Sequence, residues 1–200
     1  MPNPWSREKY FKAYNFAAEA HSGQLIPGTN MPYVVHVSLV AMEILAALAV
    51  ETVERPNLAV QCALLHECLE DTYIVYDEIV TQYGSYVADG VLALSKDGAI
   101  GKTEDEYKRD WLQLEDSLQR IKQQPREVWM VKIADRIINL QPPPNHWNDG
   151  KIVRYKQGAE LIHKELASAS EYLGGRLKAK IDKYPENTSA PTLEEGSPLL

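Results

Sequence analysis

The segment from residue 58 to residue 71, LAVQCALLHECLED, gathers its charged side chains at one end of an otherwise apolar run. A helix that is apolar almost all round is normally buried. With about 3.6 residues per turn, a helix here places His66 over Glu70 and Glu67 over Asp71. Burying unpaired carboxylates costs several kcal/mol each, so they require basic side chains or a cation beside them. The segment therefore predicts a core helix that needs either basic side chains or a cation beside it, and a divalent ion would meet that need.

Two more polar residues stand in apolar surroundings and are candidates for the same site. His36 follows an extended Pro-Tyr segment and leads into an apolar helix. Asp135 lies within another apolar helical pattern, which favours an inward-facing ligand. The alternative is that Asp135 pairs with Lys132 and Arg136 on a helix surface.

The fold class follows from the spacing of the apolar residues. They recur at intervals of three and four through most of the chain, and strand signals are nearly absent, so we expect an all-α, single compact bundle of about 8–10 helices. We expect this domain to span residues 1–184, with its last two helices broken near Gly174 and Gly175. Residues 185–200 are rich in Pro, Ser, Thr, Glu and Gly, which predicts a disordered acidic tail.

Charge and hydropathy exclude several function classes. A formal net charge of −7 argues against a DNA, RNA or anionic membrane surface, although a small anionic ligand needs only a few local bases. The longest apolar stretch, residues 37–50, contains Glu43 and is too short to span a bilayer. We expect a cytoplasmic protein, and assembly of identical chains into a homo-oligomer stays open.

Several short motifs together resemble the HD-type hydrolase domain of the RelA/SpoT family. In size and layout the chain is most similar to the stand-alone small alarmone hydrolases, and the resemblance covers roughly residues 8–170 with motif order preserved. The motifs are AHSGQ (20–24), PYVVH (32–36), LLHECLEDT (64–72), YG (83–84) and KIADRIINL (132–140).

The resemblance implies a helical hydrolase that removes the 3′-pyrophosphate from guanosine tetra- or pentaphosphate with a bound manganese ion. It also implies a role for ten residues of this chain. The metal ligands are His36, His66, Glu67 and Asp135, the catalytic acids are Glu70 and Asp71, and the substrate contacts are Asn139, Tyr155, Gln24 and Lys132.

At two places the sequence departs from the family pattern. Glu67 stands where the family has aspartate, and its extra methylene moves the carboxylate unless the backbone or rotamer compensates. Leu25 and Ile26 stand where the family carries an Arg-Lys pair, and aliphatic side chains cannot clamp phosphates or stack on bases as guanidinium does. Both departures bear on metal choice and substrate identity.

Two alternatives to a hydrolase follow from the same residues. The altered dyad and the missing Arg-Lys pair suit a catalytically impaired nucleotide-binding or regulatory module derived from such an enzyme. A structural helical domain is the other alternative, with its acids neutralised by Lys132 and Arg136. The adjacent acids Glu70 and Asp71 favour the hydrolase. Like charges in contact push the two pKa values apart, so that one group can act as an acid and the other as a base.

Overall fold

The computed structural model describes residues 5–186, which form ten α-helices and a 3₁₀ turn at Ala167–Ala169. Leu25 and Pro32 form an isolated β-bridge, and the described residues contain no longer strand. The prediction of an all-α bundle is confirmed. The helices are α1 (Arg7–Ala20), α2 (Val34–Val50), α3 (Pro56–Leu65), α4 (Cys68–Asp71), α5 (Tyr76–Tyr83), α6 (Ser85–Leu94), α7 (Glu106–Lys122), α8 (Arg126–Asn139), α9 (Asp149–Leu166) and α10 (Glu171–Lys183).

Helix α3 lies at the centre of the bundle and packs against α1, α2, α6 and α8. All its residues from Leu58 to Leu65 are buried, as expected for a helix that is apolar all round. Helix α8 packs against both α2 and α3, and its Ile133 and Ile137 side chains are buried. Each such side chain contributes about 1.5–3 kcal/mol when it is fully buried. Three mutually packed helices thus provide a rigid frame for any side chains that project from them.

The central helix does not continue through residue 71 as the sequence analysis expected. Helix α3 ends at Leu65, His66 and Glu67 form a turn, and α4 is a separate single turn from Cys68 to Asp71. In a continuous helix the Ala63 carbonyl would accept the N–H of Glu67. Here the Ala63 carbonyl lies 2.9 Å from Nδ1 of His66. The histidine ring competes for this acceptor, and the break places the acids on two short segments instead of one helix.

The break near the C-terminus also differs from the prediction. Helix α9 ends at Leu166, and Gly174 lies inside α10 instead of between two helices. A Cβ atom on Gly174 would lie 3.1 Å from both the Cβ and the carbonyl oxygen of Ala167. Gly174 is therefore used for close packing of α10 on the preceding turn, which is why a glycine within a helix did not mark its end.

An ion pair between a buried acid of α2 and an exposed arginine of α10 joins these two helices. Glu43, with an exposed fraction of 4%, accepts hydrogen bonds from the guanidinium of Arg176, whose Nε lies 2.7 Å from Oε2 of Glu43. This pair explains the single charge within the apolar residues of α2.

Residues 1–4 and 187–200 lie outside the described part of the chain, so most of the predicted acidic tail does as well. Between residues 5 and 186, no helix combines the length and the hydropathy that a membrane crossing requires.

Candidate metal centre and adjoining cleft

Two histidines and two acidic residues from neighbouring helices meet at one point. His36 lies in the first turn of α2, His66 and Glu67 directly follow α3, and Asp135 lies within α8. The Nε2 atoms of His36 and His66 lie 3.5 and 3.7 Å from Oδ1 of Asp135. Oε1 of Glu67 lies 3.2 Å from Nε2 of His66. One potential ligand atom from each residue lies within 4.8 Å of the other three, so the structure brings the four predicted ligands together.

His66 presents a free ring nitrogen to this point. Its Nδ1 donates a hydrogen bond to the Ala63 carbonyl, which leaves the lone pair of the neutral ring on Nε2. His66 is 4% exposed, and its Nε2 atom is buried with no hydrogen-bond partner among the described residues. A buried polar atom without a partner costs about 1–3 kcal/mol. A cation bound at Nε2 would remove that cost.

The two carboxylates give the cluster an excess of negative charge. Burial of Asp135 disfavours its charged form, but Lys132 and the two histidines outweigh burial and hold the pKa of Asp135 well below its usual range. Burial likewise opposes protonation of His66, yet the carboxylates of Glu67 and Asp135 raise the pKa of the imidazole to about 10. A bound divalent ion would neutralise the same excess of negative charge and would require His66 in its neutral form.

The four side chains fit a divalent metal ion. Two imidazole nitrogens and two carboxylates are ligands that first-row divalent ions accept, and the unpartnered Nε2 of His66 already points to them. Asn139 donates a hydrogen bond from Nδ2 to Oδ1 of Asp135 at 2.6 Å, which fixes the orientation of that carboxylate. Glu67 reaches the cluster despite its extra methylene, because it lies on the turn after α3 and not within a continuous helix.

The two predicted catalytic acids lie beside the cluster on α4. Glu70 accepts two hydrogen bonds from Lys96, one from the main-chain N–H at 2.8 Å and one from Nζ at 3.0 Å. Asp71 is solvent-exposed, and the side chain of Gln24 is a hydrogen-bonding neighbour that favours its ionised form. Partial burial, with the negative charges of Glu67 and Glu70, raises the pKa of Asp71. The neighbouring acids thus have different surroundings, as a pair with divided roles requires.

A cavity of about 410 Å³ opens directly onto the cluster. This volume is within the range of small-molecule sites. Three cations of its wall lie over aromatic rings: Arg136 over Tyr155 at 4.6 Å, Lys151 over Trp147 at 5.0 Å and Arg154 over Tyr107 at 4.7 Å from the ring centroid. Stacking on a ring leaves N–H donors of these cations available for hydrogen bonds to an anion. The positively charged residues that line the cavity are Lys96, Lys132, Arg136, Lys151 and Arg154.

Three of the four predicted substrate contacts line this cavity. They are Lys132, Asn139 and Tyr155, whose hydroxyl lies 3.4 Å from the carbonyl of Asn139. Gln24 lies elsewhere, in the turn after α1, where its side chain bonds to His21 and favours the ionised form of Asp71. The structural alternative, in which bases neutralise the acids, holds only in part. Lys132 lies 3.5 Å from Asp135, whereas Arg136 stacks on Tyr155 and its Nε is buried without a hydrogen-bond partner among the described residues.

Sequence reasoning missed Lys96 and the aromatic residues of the cleft. Lys96 follows α6 and meets Glu70 across a long sequence separation, for which the chain shows no periodic signal. Tyr107 and Trp111 belong to α7, where they resemble ordinary amphipathic residues. A basic residue directly after an apolar helix was the only available signal for Lys96.

Helices that position two histidines and two acids beside a base-lined cleft define a helical, metal-dependent hydrolase domain. Residues 13–171 match the family model described as "HD domain", so the chain belongs to the HD domain family. The RelA/SpoT-type resemblance stated from the motifs is confirmed by the relatives that the chain matches.

Among these relatives is the Xenopus tropicalis protein named guanosine-3′,5′-bis(diphosphate) 3′-pyrophosphohydrolase MESH1. It is 29% identical over 171 residues, which cover 83% of this chain and 89% of the relative. An Aquifex aeolicus guanosine-3′,5′-bis(diphosphate) 3′-pyrophosphohydrolase is 33% identical over 138 residues, 69% of this chain but only 18% of that longer protein. A solved structure described as a metazoan ortholog of SpoT that hydrolyzes ppGpp shares the fold. Its TM-score is 0.73 at 23% identity, over 92% of this chain and 99% of that one.

Proposed function

We propose that this protein is a metal-dependent phosphohydrolase that removes the 3′-pyrophosphate from guanosine tetra- or pentaphosphate. The observation that carries the proposal is the His36, His66, Glu67 and Asp135 cluster, which opens onto a cleft lined by five cationic side chains. Five acidic side chains line the same cleft, some of them paired with its lysines, and the phosphates of a substrate could compete with these acids for the lysines and for the arginines. The names of relatives that match this chain over most of their own length supply the identity of the nucleotide.

The residues of the chain divide the work between binding and proton transfer. Lys132 and Arg136 border the cavity next to Asp135, where they can contact phosphate oxygens. Tyr155, already stacked by Arg136, offers an aromatic edge to a nucleoside. Glu70 is held by Lys96 at the cavity wall, where its carboxylate can accept a proton from an attacking water. Asp71, on the same short helix, would return a proton to the leaving oxygen.

The proposed resident ion is manganese. His36, His66, Glu67 and Asp135 would hold it, and a bound divalent ion lowers the pKa of a water ligand and screens phosphoryl charge. Two carboxylates favour Mn²⁺ over softer ions, whereas two imidazoles also accept Fe²⁺ and Zn²⁺. Elemental analysis of protein purified without added metal, followed by reconstitution with each ion, tests this assignment. The assignment fails if manganese neither binds nor supports turnover while another ion does.

Turnover by the purified full chain tests the proposed activity. Manganese-loaded protein is expected to release pyrophosphate, and not orthophosphate, from guanosine tetraphosphate, as followed by ³¹P NMR. The panel should also contain adenosine 3′-phosphorylated nucleotides and nicotinamide dinucleotide phosphate, because Leu25 and Ile26 replace the Arg-Lys pair of the family. Release of neither product from any member would overturn the proposal.

A pair of acid-to-amide variants controls for contaminating activity. Asp135→Asn removes one ligand charge with little change of volume and is expected to lower turnover below detection. Glu165→Gln alters a surface acid that pairs with Lys122 and does not line the cavity, so it should retain wild-type turnover. Equal activity of both variants would assign the hydrolysis to another protein.

The cytoplasmic location expected from the sequence stays a prediction.

A further inference from the structure

Helix α4, which carries Glu70 and Asp71, is a single turn of four residues. A helix this short has almost no intrinsic stability, because nucleation costs more than so few hydrogen bonds return. Catalytic acids nevertheless need a fixed geometry. Other contacts must therefore hold α4 in place.

The turn after α1 provides such contacts at both ends of α4. Nε2 of His21 lies 3.9 Å from the Sγ of Cys68, the first residue of α4. Nδ1 of His21 lies 2.7 Å from Oε1 of Gln24, and the Gln24 side chain is a hydrogen-bonding neighbour that favours the ionised form of Asp71, the last residue of α4. The connection therefore leaves α4 at Cys68, passes through two side chains and returns at Asp71.

The direction of each hydrogen bond follows from the acceptor at the end. Asp71 presents a carboxyl oxygen as acceptor, so Gln24 gives its amide NH₂ to Asp71 and its oxygen to His21. His21 must then carry its proton on Nδ1, which leaves Nε2 to accept from the thiol of Cys68. Every member of this series has the donor or acceptor that its neighbour needs.

His21 and Gln24, which together form the brace of α4, are themselves rigidly held. His21 is 3% exposed, and its ring stacks on Tyr33 with a centroid distance of 4.9 Å. The main-chain N–H of Gln24 bonds to the carbonyl of His21 at 3.0 Å, and its carbonyl accepts from Tyr33 at 2.9 Å. Gly23, with φ of 81°, closes this turn in a conformation that favours glycine. The brace is therefore fixed to the start of α2, the helix that carries His36.

We infer that His21 and Gln24 are positioning residues, which hold α4 through Cys68 and Asp71 and thereby fix the position of the two acids that it carries. This inference rests on the proposed function for its kinetic consequence. It reassigns Gln24, which the sequence analysis regarded as a substrate contact but which does not belong to the described cavity lining. The role of the metal ligands is unaffected by it.

Steady-state kinetics of the manganese-loaded full chain with guanosine tetraphosphate tests this role. Gln24→Leu breaks the connection at its centre and is expected to lower kcat on the order of 100-fold, the effect of misplacing a catalytic group by about 1 Å. KM should stay within about twofold and the bound metal should be unchanged, because the cleft and the ligands are intact. Gln82→Leu, at an exposed position of α5, is the matched control and should behave as wild type.

Variants of His21 separate positioning from packing. His21→Asn keeps an N–H donor near the place of Nδ1, whereas His21→Phe keeps the ring and loses both hydrogen bonds. The kcat of the asparagine variant is expected to exceed that of the phenylalanine variant at least tenfold. A rise in KM at unchanged kcat for Gln24→Leu would make Gln24 a substrate contact and overturn the inference. Wild-type kcat in both Gln24→Leu and His21→Phe would overturn it as well.

Hydrogen exchange gives a readout that does not depend on turnover. The N–H of Asp71 bonds to the Glu67 carbonyl at 2.9 Å, so its protection reports on opening of α4. Each hydrogen bond lost from the brace is expected to raise its exchange rate about fivefold in Gln24→Leu and His21→Phe. If wild-type protein leaves guanosine tetraphosphate intact, the proposed function fails. The exchange rates still decide whether His21 and Gln24 hold α4. Unchanged exchange in both variants would refute the brace, whatever the activity.

Discussion

The Nε2 atom of His66 lies 3.7 Å from Oδ1 of Asp135, although the two residues belong to different helices. The helices α3 and α8 that bring them together are packed against each other in the core. A metal ion between these atoms would therefore join two elements of the hydrophobic core, and its binding should be measurable as stability.

His66→Asn tests this linkage. Asparagine can still donate to the Ala63 carbonyl but lacks the second nitrogen that faces Asp135. At manganese concentrations near 100 times Kd, the wild-type free energy of unfolding should rise by about 2.7 kcal/mol. Urea unfolding with and without manganese should show this gain in wild type and in the exposed-site control His146→Asn. The prediction fails if His66→Asn gains as much.

Asn139→Ala should weaken metal binding without removing a ligand. The amide of Asn139 holds Oδ1 of Asp135 at 2.6 Å, and loss of such support typically lowers metal affinity about 10–100-fold. Calorimetric titration with manganese measures the change. Gln141→Ala, whose side chain bonds only to the carbonyl of Ile138, should leave affinity unaltered. Equal affinities in the two variants would limit Asn139 to a substrate contact.

Lys96→Met should reduce turnover by roughly tenfold. It removes the ammonium contact to Glu70 at 3.0 Å but retains the main-chain contact at 2.8 Å, so one charge-assisted hydrogen bond worth about 1.5–3 kcal/mol is lost. Rates at saturating substrate isolate this effect from binding. Lys108→Met, which breaks an exposed pair with Glu104, is the control and should show the wild-type rate. A loss confined to KM would make Lys96 a phosphate contact alone.

The adjacent glycines of α10 should respond in opposite directions to alanine. A Cβ on Gly174 would lie 3.1 Å from the backbone oxygen of Ala167, so Gly174→Ala should destabilise the fold by about 1–3 kcal/mol. Around Gly175 nothing lies within 4 Å of such a Cβ, and Gly175→Ala should stabilise the helix by about 0.5–1 kcal/mol. Chemical denaturation of the two single variants gives both values. Changes of the same sign would contradict this account of α10.

The cluster of candidate ligands could be predicted from the sequence because its polar side chains stand in apolar, buried segments. His36, His66 and Asp135 are polar residues in apolar helical patterns, which explains both their prediction and their convergence in a core of mutually packed helices. The break between α3 and α4 could not be read in this way. It depends on the His66 ring competing for the Ala63 carbonyl, and helical periodicity carries no information about that competition.

The side chains around the acids were predicted less well. Gln24 belongs to a motif whose resemblance implied a substrate contact, and its bond to Asp71 depends on how the turn after α1 meets α4. Lys96 reaches Glu70 only because α6 ends beside α4. Such tertiary contacts between short segments leave no repeating signature in a single sequence.

The modification rates of the two buried thiols report separately on local opening and on global unfolding of this molecule. Cys62 belongs to the central helix, whereas Cys68 begins the single turn that the brace holds. Burial raises the pKa of both thiols, so neither should react with a disulfide reagent until its surroundings open. Cys68 should then be modified at the rate of local opening and Cys62 at the slower rate of global unfolding. A ligand that closes the cleft would slow modification of Cys68 more than modification of Cys62. Its binding could therefore be followed without any turnover.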